Sequence, residues 1–83
     1  MYVDLFNERT NELVEAKASS RREHIRMAIG QIADYRRFVV SQPTCKVLLP
    51  DAPTPELLDL LWSQRIGVIV RGAEEFTELL PSP

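Results

Sequence analysis

A small α/β fold with the element order β-β-α-β-α-β is predicted by three observations. Two short alternating segments are separated by a polar turn, a stripe of aliphatic residues at helical spacing follows them, and two nearly continuous apolar runs flank a second amphipathic stretch. Tyr2 to Phe6 alternates and is rich in aromatic and aliphatic residues, and Leu13 to Ala18 reads the same way. Between them the run from Asn7 to Glu12 is polar, and Asn11 suits a left-handed turn position, so the segment is a β-hairpin. Ser19 and Ser20 offer N-caps, with Glu23 three residues beyond Ser20 to close a capping box. The helix that follows runs to about Val39, with Ile25, Ala28, Ile29, Ile32 and Val39 on one stripe, and Gln42-Pro43 stop it.

Cys45 to Leu49 is a short apolar run of the kind found in buried parallel strands. Thr54-Pro55-Glu56 opens a second helix with proline at its first position, and Leu57, Leu58, Leu61 and Trp62 form its apolar face. Ile66 to Val70 reads as another buried strand. Residues 45–70 therefore form a βαβ unit with the usual right-handed crossover. Glu74 to Leu80 predicts a terminal helical turn. There is no internal repeat and no linker, so 1–83 reads as a single domain.

With 83 residues, 45% of them hydrophobic and 27% charged, the chain belongs to the globular class, with a thin core burying roughly 60% of its unfolded surface. The lone Cys45 forms no internal disulfide. It reads as a buried strand thiol, and the chain is expected to be cytoplasmic. No run approaches the ~20 apolar residues of a membrane span, and no signal peptide opens the chain. A net charge of −2 argues against a general nucleic-acid binder. Residues 17–37, however, carry Lys17, Arg21, Arg22, Arg26, Arg36 and Arg37 against Glu23 and Asp34, a local +4 that favours a polyanion.

Chemistry concentrates in the hairpin and the helix after it. Alternation puts Glu15 and Lys17 on one face of their strand. A loop centred on Arg9-Thr10 sets Asp4 opposite Glu15; one centred on Thr10-Asn11 sets it opposite Lys17. Either register gathers the three charges on one face. Two carboxylates so placed are hard-oxygen ligands suited to Mg²⁺ or Mn²⁺, a cation that polarises a phosphodiester and acidifies water. Lys17 suits orienting the nucleophile or neutralising charge on the phosphate. Gln31 and Tyr35 are i, i+4 neighbours at the edge of the apolar stripe, with His24 on the same edge. Arg21 and Arg22 fall at the first helical turn, where free backbone N–H groups already suit phosphate.

Acid, then Glu-x-Lys on the next strand, then Gln-x-x-x-Tyr on the next helix: this order resembles the PD-(D/E)xK nuclease superfamily, the restriction-endonuclease-like fold, most closely its RecB-like branch. Val3-Asp4-Leu5, Leu13 to Lys17 and Ala28 to Tyr35 carry the likeness. The resemblance implies a DNA-cleaving (or RNA-cleaving) site in which Asp4 and Glu15 hold the metal and the Ala16 carbonyl adds a ligand. Lys17 would be the catalytic lysine, Gln31 would contact the phosphate or the lysine, and Tyr35 would brace the site or meet nucleic acid. The sequence departs from the family pattern in having Val3, not proline, before Asp4. It also has only three residues upstream of Asp4, so the N-terminal core helix is expected to be absent. The core would then be completed by self-association as a homodimer, or by another domain or chain. Alanine at Asp4, Glu15 or Lys17 should abolish cleavage and leave the fold intact. The alternative is a non-catalytic module that binds nucleic acid through the helix arginines or assembles with a partner protein.

Overall fold

The computed structural model describes residues 3–81, the side chains of residues 3 and 4 excepted. Its elements are β1 (Val3–Asn7), β2 (Glu12–Ala16), α1 (Arg22–Phe38), β3 (Thr44–Leu49), α2 (Pro55–Ser63), β4 (Ile66–Arg71) and β5 (Phe76–Leu79). The strands form one mixed sheet in sequence order, with antiparallel pairs at both edges and parallel pairs β2–β3 and β3–β4 in the middle. Both helices cover the same face. Leu13, Cys45, Val47, Leu49, Ile66 and Val68 from the sheet close on Ile25, Ala28 and Ile32 of α1 and on Leu57 and Leu61 of α2. The opposite face, with Val14, Ala16, Lys46, Leu48 and Ile69, is half-exposed. Among the described residues no helix is long and apolar enough to cross a membrane.

The hairpin adopts the first of the two registers, pairing Asp4 with Glu15. Its turn is set by Asn7, whose Oδ1 accepts from the amides of Arg9 and Thr10, and by Asn11 at φ 55°. Asn11 also ties the hairpin to the α1–β3 loop. Its carbonyl accepts from Thr44 N, its Nδ2 donates to the Ser41 carbonyl, and its Oδ1 accepts from Ser41 Oγ.

Three local expectations give way to competing interactions. The capping box at Ser20 does not form, because Ser20 Oγ donates to the Asp51 carbonyl at 2.6 Å and Ser19 Oγ is held by His24 Nδ1 at 2.5 Å. Helix α1 therefore begins at Arg22, with Arg21 as an N-cap that makes no side-chain cap bond. At the other end the helix stops at Phe38, and Val39 is an extended C-cap, not the last residue of the apolar stripe. Gln42, at φ 51°, donates from Nε2 to the Val39 and Arg36 carbonyls and satisfies acceptors that the helix leaves open. The expected terminal helical turn at 74–80 is instead β5, paired antiparallel with β4. A bond from Gly72 N to the Glu75 carbonyl closes the turn. An isolated helical turn carries a high nucleation cost, whereas the open edge of β4 offers a ready ladder.

Helix α2 follows its sequence signals: Thr54 caps it, Oγ1 accepting from Leu57 N, and proline occupies its start. The chain leaves it through Arg65 in the left-handed region, at φ 59°. Arg36 of α1 donates to the Gln64 and Arg65 carbonyls, each at 2.8 Å, so one guanidinium fastens the two helices together at this corner.

On the half-exposed face Lys46 lies across β4. Gly67 is its neighbour in the ladder, and the Lys46 ammonium passes over it to Glu78 on β5 at 3.0 Å while also meeting Glu12 on β2 at 3.2 Å. The hydrogen bond to Glu78, then that to Glu12, raises the Lys46 pKa above its usual 10.5. A cation whose pKa is raised on folding contributes stability that is complete below its unfolded value and is lost as pH climbs through the folded one. The difference in unfolding free energy between the parent and Lys46→Met should therefore stay constant through neutral pH and shrink above about pH 10.5. Urea titrations across that range measure it, and a difference that does not change with pH would count against the linkage.

Candidate active site

Strand β2 delivers the central pair. Leu13, Glu15 and Lys17 share its helix-covered face, and all three are buried. Just past the end of the strand, Lys17 N continues the parallel ladder by donating to the Leu48 carbonyl at 3.0 Å, which aims its side chain beneath α1. There Lys17 Nζ donates to Gln31 Oε1 at 2.5 Å and stands 3.6 Å from Glu15 Oε1. The Glu15 and Lys17 side chains are only 3% and 4% exposed. Two charges taken this far from water carry a desolvation cost of several kcal/mol each, which a close counter-charge and added hydrogen bonds offset only in part. The amide of Gln31 supplies one of those added bonds.

Each residue singled out from the sequence can now be placed. Glu15, Lys17 and Gln31 converge. Asp4 is the register partner of Glu15 across the hairpin, and its side chain lies outside the described residues. Ala16 stands between Glu15 and Lys17, with its methyl on the opposite face. Tyr35, one turn beyond Gln31, packs its ring against Phe6 of β1 at a centroid distance of 6.4 Å. His24 is half-buried, with Nδ1 bonded to Ser19 Oγ. Arg21 and Arg22 are exposed and engaged by acids: Arg21 Nε is 3.2 Å from Glu23, and Arg22 Nη2 is 2.5 Å from Glu56 at the start of α2. Exposed pairs of this kind are weak, so both guanidiniums keep the freedom to exchange an acid for a phosphate. Cys45 is a fully buried thiol that donates to the Pro43 carbonyl, in line with its reading as a core residue.

Beside Lys17 the β2–α1 loop and the β3–α2 loop bound an open cleft lined by Ala18, Ser19, Ser20, Asp51 and Thr54. Both helices begin at this end of the sheet, so their unbonded first-turn amides add positive potential there. Two contributors were not singled out from the sequence: Phe6, which backs Tyr35, and Ser19, which orients His24. Phe6 had a usable signal, since it shares its strand face with Asp4. Ser19 had none, because serine before a helix is read as a cap.

Glu15, Asp4 in register across the hairpin and the Ala16 carbonyl, the set that the resemblance implies, are all oxygen donors, the ligand type that hard divalent cations take. Among the described residues no group of three or more His, Cys, Asp or Glu comes together. Compared with protein-family models, with curated proteins and with solved structures, the chain gives no match.

Proposed function

We propose that this protein is a metal-dependent nuclease that hydrolyses phosphodiester bonds of DNA on a compact restriction-endonuclease-like sheet. The observation that carries the reading is the convergence of Glu15, Lys17 and Gln31, brought from two elements into one buried cluster with Asp4 in register beside it. The elements that follow, with β3 parallel to the lysine-bearing β2, are compatible with the PD-(D/E)xK resemblance without being diagnostic of it.

Asp4, Glu15 and the Ala16 carbonyl would hold Mg²⁺ or Mn²⁺. When bound, such a cation supplies Lewis-acid polarisation of the phosphodiester and a lowered pKa for water. The chain's own residues do the rest. Glu15 and Gln31 hold the Lys17 ammonium from two sides, so its charge is oriented before substrate arrives. A preorganised cation in a site that excludes water stabilises charge developing on the phosphoryl oxygens far better than a solvated one. Arg21 and Arg22, together with the first-turn amides of α1, would take the flanking phosphates of a bound strand by exchanging their exposed acids for them.

The near-complete burial of Glu15 and Lys17 favours one other reading, a non-catalytic module in which the pair serves only to hold α1 on the sheet. The two diverge in a cleavage assay. The nuclease reading expects Mg²⁺- or Mn²⁺-dependent scission of DNA that a chelator stops and that Asp4→Asn lowers by about a hundredfold or more, the scale of a lost charge-stabilising group. Salt-sensitive DNA binding with no turnover in either metal would leave the module.

A further inference from the structure

We infer that the outward face of α1 docks on the same face of a second copy of this chain, as an antiparallel pair whose two-fold axis passes beside Gly30. The inference is independent of the nuclease reading. Helical spacing turns Ile25, Ala28 and Ile32 toward the sheet and leaves Glu23, Arg26, Met27, Gly30, Asp34 and Arg37 on the far side, all of them exposed. Gly30 stands at the middle of that side and at the middle of the helix. A glycine there lowers helix stability relative to alanine. The fold of one chain does not require it, since its φ is not positive and a Cβ would meet no atom of the described residues within 4 Å. What the missing side chain does provide is a spot where another backbone can come close.

The charges choose the occupant. Four residues before Gly30 stands Arg26, and four after it Asp34; seven before stands Glu23, and seven after it Arg37. A two-fold axis at Gly30 lays each residue before the glycine beside its counterpart after it in the copy, and repeats the contact on the other side. Arg26 then meets Asp34 of the copy, and Glu23 meets Arg37 of the copy. Together they make a group of four charges of alternating sign at each end of the contact. A surface whose charge inverts about its own midpoint is complementary to itself, and a foreign partner would require no such inversion. Met27, 52% exposed, falls beside Ala33 of the copy and adds apolar contact. The contacts these groups make within one chain are exposed and therefore weak: Arg37 is 3.4 Å from Asp34, and Glu23 is 3.2 Å from Arg21. Helix α1 is about 25 Å long, so one helix against another covers less than a standard interface. The dimer is accordingly a weak one, with a Kd on the order of tens of micromolar.

Sedimentation of the full chain from about 1 to about 500 μM at low salt should show a monomer–dimer equilibrium that weakens as salt is raised. Arg26→Glu alone and Asp34→Lys alone should each raise the Kd about tenfold, because each sets like charges together twice in the dimer. Mixed in equal amounts, the two variants should associate as tightly as the parent, since both contacts across the axis are then between opposite charges. Residues 26 and 34 lie two turns apart in one helix, too far for that rescue to arise within a chain. Gly30→Glu sets a carboxylate against its own copy and should abolish the dimer. Its thermal midpoint at about 1 μM should nevertheless hold or rise, because a better helix former replaces glycine where space is open. A parent that stays monomeric over the whole range overturns the inference. So does a dimer indifferent to Gly30→Glu or to the single charge reversals, or a pair of reversals that does not recover on mixing, for such a dimer uses another face.

Discussion

Lys17→Met is expected to destabilise the fold by about 3–5 kcal/mol, because it strands the Glu15 carboxylate in a buried site without the cation beside it. That is a large share of the ~5–15 kcal/mol that holds a small domain together. Glu15→Gln should also destabilise, because it leaves the buried Lys17 ammonium without that carboxylate, and the retained bond to Gln31 should make its cost the smaller of the two. The double variant Glu15→Gln/Lys17→Met should be more stable than Lys17→Met alone, and the departure from additivity reports the coupling. Urea titrations of the four proteins read all of this. A Lys17→Met protein as stable as the parent would show that the ammonium is not held as its geometry indicates. The result also revises an expectation drawn from the sequence. Loss of cleavage in Lys17→Ala or Glu15→Ala would mix lost chemistry with lost stability, so the double variant, if it folds, is the cleaner inactive protein.

The second large effect lies on the other side of the sheet. A Cβ at position 67 would stand 2.9 Å from Lys46 Cγ and 3.4 Å from Glu78 Oε2, so Gly67→Val pushes the lysine off its course and separates it from Glu78. A cost of about 1–3 kcal/mol is expected from overpacking, set against a smaller gain from valine's preference for strands. Lys46→Ala removes the obstructing methylene. The cost of Gly67→Val should therefore be much smaller in the Lys46→Ala background, and equal costs in the two backgrounds would rule out the crossing lysine as the cause. Thermal or urea unfolding of the four combinations decides it.

How much of this was legible in the sequence depends on the range of the interaction concerned. The second helix was fully readable, since Thr54, Pro55 and the Leu57/Leu61 spacing are local signals that nothing distant contradicts. So were the parallel inner strands, whose apolar runs are long enough to outweigh their neighbours. The start of α1 was not. Ser20 looks like a cap until Asp51, 31 residues away, takes its hydroxyl. The last element failed for the same reason, because the acid-rich segment after Gly72 is helix-compatible and only the unfilled edge of β4 makes it a strand.

The proposed site divides along the same line. Strand alternation brought Glu15 and Lys17 together, and helical spacing did the same for Gln31 and Tyr35. The hairpin register stayed open between two solutions until Asn7 and Asn11 closed the turn. Burial of the charges was not legible at all. It follows from both helices crossing the same face, a property of strand order and not of any residue in the motif.

The Arg36 clamp has a counterpart at the other end of α1. The C-terminal half is fastened to the turn that leads into β4, and the N-terminal half is anchored by Ile25 and Ala28, both fully buried, and by the His24–Ser19 hydrogen bond. A rod held at both ends does not tilt, so the Gln31 amide reaches the Lys17 ammonium from a stationary support.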